Sequence, residues 1–159
     1  MKLSGYSMND DSLLAFIFDQ AREHNIPVEK FCFELNETSA IQNIEDAADF
    51  MHEMRSLGCE FTLSDFGTGQ SSFEYLKRLP VNYVKIDHTF IKELVTSSAD
   101  YAMVKSIHEI AHFMAKKTIA EQVNDEETLN ILRSIGIDLA MSSEVSDAIP
   151  LVKLANFIS

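Results

Sequence analysis

Apolar and polar positions along the chain alternate between two periods, one near 3.6 and one near 2. Residues 11–24 carry Leu14, Ile17, Phe18 and Ala21 at helical spacing. Asp10 or Asp11 is placed to cap this helix, and Asn25-Ile26-Pro27 to end it. Residues 31–36 switch to strict alternation, with Phe31, Phe33 and Leu35 on one face of a strand. Residues 44–57 return to the helical period through Ala47, Ala48, Met51 and Met54, with Gly58 just past the end. The same switching predicts strands over 60–64, 83–86, 118–120 and 137–141, and helices over 71–79, 99–114 and 126–135. Asp65-Phe66-Gly67-Thr68-Gly69 reads as a loop, and the tail over 149–158 as a helix. In the helix over 99–114 the apolar side is Met103, Ile107, Ile110, Ala111 and Met114.

Strand and helix alternate about five times, which predicts parallel βα units. A full eight-unit barrel needs roughly 200 to 250 residues. A chain of 159 residues therefore fits a doubly wound sheet or an incomplete barrel, as one domain.

Composition narrows the partners. Thirteen basic against 25 acidic residues give a formal charge of −12, which disfavours nucleic acid and anionic membrane surfaces. The pairs Lys77-Arg78 and Lys116-Lys117 are isolated rather than parts of a basic patch. No apolar run approaches the roughly 18 residues of a membrane span, and the first residues lack signal-peptide character. Cys32 and Cys59 make neither a disulfide framework nor a zinc motif. The expected location is the cytoplasm.

Candidate chemistry gathers where predicted strands end. Glu34 and Glu37 lie at the end of the first, Ser64 and Asp65 at the end of the second, Lys85 and Asp87 flank the end of the third, and Glu121 ends the fourth. In parallel α/β folds that edge is where sites are built. Carboxylates placed there repel one another unless a cation or lysine sits among them, and oxygen donors suit Mg²⁺. The plainer reading is that such carboxylates cap the next helix or pair with Lys85.

At these residues the chain resembles the EAL domain family. The resemblance is carried by Asp65-Phe66-Gly67-Thr68-Gly69, Ser72, Tyr75-Leu76-Lys77-Arg78-Leu79-Pro80-Val81 and Lys85-Ile86-Asp87. Glu34-Leu35-Asn36-Glu37-Thr38, Ala120-Glu121-Gln122-Val123 and Leu3-Ser4 extend it over residues 2–141. The resemblance implies an α/β fold: an incomplete TIM-like barrel lacking its first strand, with five to six parallel strands and outer helices. It also implies a site for Mg²⁺ or Mn²⁺ that hydrolyses cyclic di-GMP in active members. Glu34, Glu37, Asp65, Lys85, Asp87 and Glu121 match the family's functional positions.

Departures from the pattern fall at Lys2, Ser64, Asn124 and Met141, and the segment that names the family lies upstream of Met1. Counted as about three units of charge against a dication, at about 4 kcal/mol each for a 4 Å separation in a medium of dielectric about 20, they predict a lost metal site. Glu34, Asp65 and Glu121 are then expected to pair with Lys85 and Lys2. The resulting expectation is no cofactor and no enzyme, but a protein-interaction module in cyclic di-GMP signalling. A homodimer or another signalling protein would be its partner, and it could be a fragment of a longer regulator. The alternatives are a cyclic di-GMP receptor, with Phe66 and Arg78 as candidate contacts, and a residual phosphodiesterase.

Other residues add little at this stage. His108 and His112 share a helix face and could hold a metal, but read as surface histidines. His88 follows Asp87 near the candidate site. Asp65-Phe66-Gly67 is also a kinase motif, yet no accompanying kinase segment is present.

Overall fold

The structure, a computed structural model, describes residues 1–23, 26–68, 73–142 and 149–150. Its helices are α1 (Asp11–Glu23), α2 (Glu37–Gln42), α3 (Ile44–Ser56), α4 (Glu74–Arg78), α5 (His88–Lys92), α6 (Ser98–Phe113) and α7 (Glu126–Ile135). Its strands are β1 (Cys32–Asn36), β2 (Glu60–Phe66), β3 (Tyr83–Ile86), β4 (Lys117–Ala120), β5 (Leu139–Ala140) and β6 (Ile149–Pro150). The fold class is α/β. The chain forms two compact units, one of residues 1–64 and 69–82, the other of residues 65–68 and 83–159.

In the first unit, β1 runs parallel to β2 with Cys32 opposite Glu60 and Asn36 opposite Ser64. Burial alternates along β1, so Phe33 and Leu35 face inward as their spacing predicts. Most of β2 is buried on both faces, and its pattern is correspondingly almost continuous. Phe61 is fully enclosed, with its ring centroid 5.6 Å from that of Phe33 and 5.9 Å from that of Phe50. Ala47, Met51 and Met54 of α3 complete this core.

In the second unit, β3 pairs parallel with β4, and β4 with β5. The strand β6 runs antiparallel to β5, so the described part of the tail is a strand where a helix is expected. The rest of residues 149–158 lies outside the described residues. So do residues 69–72, which hold the expected start of the helix over 71–79.

Three further expectations are corrected. The strand β2 continues through Asp65 and Phe66 into what reads as a loop. Two short helices, α2 and α5, were not expected: each is too short to show a period. Each is started by a side chain, Asn36 accepting from the Ser39 N–H at 2.8 Å and Asp87 accepting from the Thr89 N–H at 2.9 Å. Finally, α6 is rotated from its expected face. Val104, Ile107, His108 and Ala111 are buried, while Met103 is 41% exposed. These four sit at i, i+3, i+4 and i+7, so the buried stripe appears once His108 is counted among the core residues.

The helix α7 shows how local chemistry sets an element's ends. Asp125 accepts from the Thr128 N–H at 2.7 Å and from the Thr128 hydroxyl at 2.8 Å, and Gly136 closes the helix at φ +102°. The Thr128 N–H holds the Asp125 carboxyl below its usual value. A lowered native pKa stabilises the fold above the unfolded value and loses that effect as pH falls through the native one. Replacing Asp125 by Ala is expected to cost about 1 kcal/mol at pH 7 in urea unfolding. The gap between the two proteins should close below roughly pH 4.

Candidate functional site

The second unit brings together two of the expected site residues. Lys85 on β3 lies opposite Ile119 on β4, and Glu121, two residues on, falls within reach of its side chain. Lys85 Nζ stands 2.9 Å from Glu121 Oε2, with the two side chains only 11% and 20% exposed. At this burial the pair escapes most of the screening that weakens surface ion pairs. Losing one partner of such a pair costs far more than losing a surface charge.

Asp65 and Gln122 sit beyond this pair at φ +57°, the left-handed region that non-glycine residues seldom adopt. Two bonds hold the Asp65 segment: its carbonyl accepts from the Thr68 hydroxyl at 3.0 Å, and the Phe66 carbonyl accepts from the Asp87 N–H at 3.2 Å. The second bond ties the end of β2 to the residue that follows β3. Asp87 is committed to α5, accepting from both the N–H and the hydroxyl of Thr89, at 2.9 and 2.5 Å. That matches the helix-capping reading of a carboxylate after a strand. His88 lies beside it, with Nδ1 3.7 Å from Asp87 Oδ1.

Of the departures in this unit, Asn124 is exposed and Met141 half-buried. Met141 acts through its backbone, donating to the Ala120 carbonyl at 2.8 Å and accepting from the Val123 N–H at 2.9 Å. Phe66 is fully enclosed, so its ring is a core group rather than an open wall for a ligand base.

In the first unit, Lys2 bridges to Glu34, with the Leu3 N–H on the Glu34 carbonyl at 2.8 Å and Lys2 Nζ 3.9 Å from Glu34 Oε1. The Lys2 side chain is 65% exposed. Glu37 opens α2, is 1% exposed and accepts a hydrogen bond from the Tyr75 hydroxyl. Sequence reading gave Tyr75 no role, since only the fold joins two residues 38 positions apart. The Ser64 hydroxyl is turned to the Leu35 carbonyl at 3.4 Å. Arg78 pairs with Glu45 at 3.2 Å, both groups well exposed.

The donor chemistry in the second unit suits a hard dication. Asp65 and Glu121 offer carboxylate oxygens at strand ends, with no sulfur or imidazole on the same segments.

Comparison with known proteins places these features. The EAL domain model matches residues 1–141. The cyclic di-GMP phosphodiesterase PdeB of Shewanella oneidensis is 40% identical over 95% of this chain, which spans 18% of PdeB. The cyclic di-GMP phosphodiesterase PdeA of Borreliella burgdorferi is 36% identical over 87% of the chain, which spans 21% of it. The structure of the PaMucR phosphodiesterase in complex with c-di-GMP matches 96% of this chain at TM-score 0.84 and 27% identity, and 62% of PaMucR is covered. The EAL domain of Mycobacterium smegmatis DcpA matches 98% of the chain at TM-score 0.82 and 26% identity, with 70% of that chain covered.

These relatives overturn two expectations, that the chain is no enzyme and that it is without a metal cofactor: proteins this similar are named phosphodiesterases. The charge count behind both treated every departure as lying inside one cage. Lys2 and Asn124 instead lie exposed, where solvent screens them.

Proposed function

This chain belongs to the EAL domain family, and on that premise we propose that it takes part in the hydrolysis of cyclic di-GMP assisted by a divalent cation. The observation that carries this reading is the largely buried Lys85–Glu121 pair, with Asp65 at the matching position of the family motif in the sequence.

In the reaction, water adds to one phosphorus while the ester oxygen on its far side leaves with a proton. Charge grows on the equatorial oxygens. Lys85 supplies an ammonium to offset that charge, and Glu121 aims it through their 2.9 Å contact. Asp65 and Glu121 are the residues that would hold Mg²⁺ or Mn²⁺. Such an ion, when bound, polarises a phosphate oxygen and acidifies water. Asp87 contributes indirectly, by starting α5 and holding the Phe66 carbonyl.

The test is incubation of the protein with cyclic di-GMP and Mg²⁺ or Mn²⁺, followed by nucleotide chromatography. Linear dinucleotide should form and should stop forming with a chelator. Saturable binding without product, or no binding, overturns the reading.

Pairing with a second copy of the chain belongs to the same proposal. Phe113, at the end of α6, is 92% exposed and would be covered by such a contact. Light scattering at twice 17.9 kDa supports pairing, and a value of 17.9 kDa overturns it. Among the described residues no helix is long and apolar enough to cross a membrane.

A further inference from the structure

The strongest unassigned chemistry lies on the flank of α6. His108 and His112 are one helical turn apart, with ring centroids 4.0 Å from each other. Asp138, just before β5, faces them. One ligand atom from each of the three falls within 4.8 Å of the others. We propose that His108, His112 and Asp138 form a binding site for a zinc-class divalent cation, separate from the phosphodiester chemistry.

Hydrogen bonding prepares the three groups for this role. Asp138 Oδ2 accepts from the Thr118 N–H at 2.8 Å and lies 3.0 Å from the Thr118 hydroxyl. An ionised carboxylate has no proton to give, so the hydroxyl donates to Asp138. The same hydroxyl oxygen, 2.8 Å from His108 Nδ1, then accepts from that ring. The proton of His108 is thereby placed on Nδ1, and Nε2 keeps the lone pair a metal needs. Orientation of a ligand imidazole and carboxylate by such outer partners is the usual support of a metal site.

Space and charge fit as well. A Cβ at position 136 would stand 3.2 Å from His108 Nε2, so glycine lets the backbone pass this close to the ring. Burial, then the neighbouring His112, lowers the His108 pKa and favours the neutral ring that ligates. Burial alone would raise the Asp138 carboxyl, but bonds from Thr118 and His112 bring it below its usual value. His112 Nε2 now stands 2.7 Å from Asp138 Oδ2, and a cation would take the place of the proton between them. His108 is 7% exposed, while the His112 side chain is 45% exposed, so the site opens to solvent on one side. Three protein ligands and one open position describe the non-structural type of zinc site.

Two imidazoles select zinc, cobalt, nickel or copper over magnesium, and this separates the site from the strand-end carboxylates. Calorimetric titration of the full chain with Zn²⁺, in excess Mg²⁺, should show one saturable equivalent. His112→Ala should weaken it at least about 10-fold with the circular dichroism unchanged, because His112 is exposed. Thr118→Val should weaken it too, by freeing the His108 ring. Cobalt substituted at the site should give the visible absorption of a tetrahedral ion in the parent protein and lose it in His112→Ala. Absence of saturable zinc binding, or equal affinity in parent and His112→Ala, would overturn the proposal and leave the cluster as a hydrogen-bond network. Neither result bears on cyclic di-GMP hydrolysis.

Discussion

Glu121→Gln is expected to reduce cyclic di-GMP hydrolysis by about 100-fold or more, a loss of the size seen when a transition-state electrostatic group is removed. The substitution keeps the shape of the side chain and removes its charge. It therefore acts on both roles proposed for Glu121, the 2.9 Å contact with Lys85 Nζ and the holding of a divalent cation. Without the carboxylate, the Lys85 ammonium loses its aim, since an amide cannot match a carboxylate as partner for an ammonium. Binding of cyclic di-GMP should change less than turnover, because the charge that Lys85 meets grows as the phosphorus is attacked. Chromatographic product release and calorimetric binding, measured side by side, separate the two effects. Hydrolysis unchanged by Glu121→Gln would remove this pair from the reaction. Lys85→Met should fall with it, and the double variant should be little worse than either single one.

The second large effect concerns the fold. Phe61→Ala is expected to cost about 3–5 kcal/mol, read as a fall in the urea midpoint. Phe61 is fully buried on β2, and its ring meets Phe33 and Phe50, the latter edge to face. Truncation removes transfer energy, opens a cavity between β1 and α3, and breaks two ring contacts. Against a typical total of about 5–15 kcal/mol, that is a large share. Phe113→Ser offers the contrast: at 92% exposed, it should shift stability by no more than about 0.5 kcal/mol. Equal effects from the two substitutions would contradict the placement of this core.

Several elements were legible because their signal is local. The helical spacing over 126–135 and the glycine that follows it lie within a dozen residues, and α7 falls on those residues. The strand β3 falls on the expected residues 83–86, since its alternation needs no partner to be seen. The helices α2 and α5 were not legible, because five or six residues hold too little of a period. The face of α6 was missed for a different reason. His108 is polar in isolation and becomes a core residue only once the Thr118 hydroxyl, ten positions away, meets its ring.

The candidate site divides the same way. Motif order pointed to Asp65, Lys85, Asp87 and Glu121, and in the second unit they fall on or just after β2, β3 and β4. Of the three carboxylates expected to pair with Lys85 and Lys2, Glu121 meets Lys85 and Glu34 approaches Lys2. The reading of inactivity failed because counting charges along a chain says nothing of which are exposed and screened.

What the sequence determined alone is the alternation of the longer strands and helices, the α/β class and the family, since hydrophobic period and motif spacing are properties of neighbouring residues. Tertiary structure decided which distant groups share an environment: Tyr75 with Glu37, and His108 and His112 with Thr118 and Asp138. Contact and burial set the strength of a charge or hydrogen bond, and both depend on residues that only folding brings near.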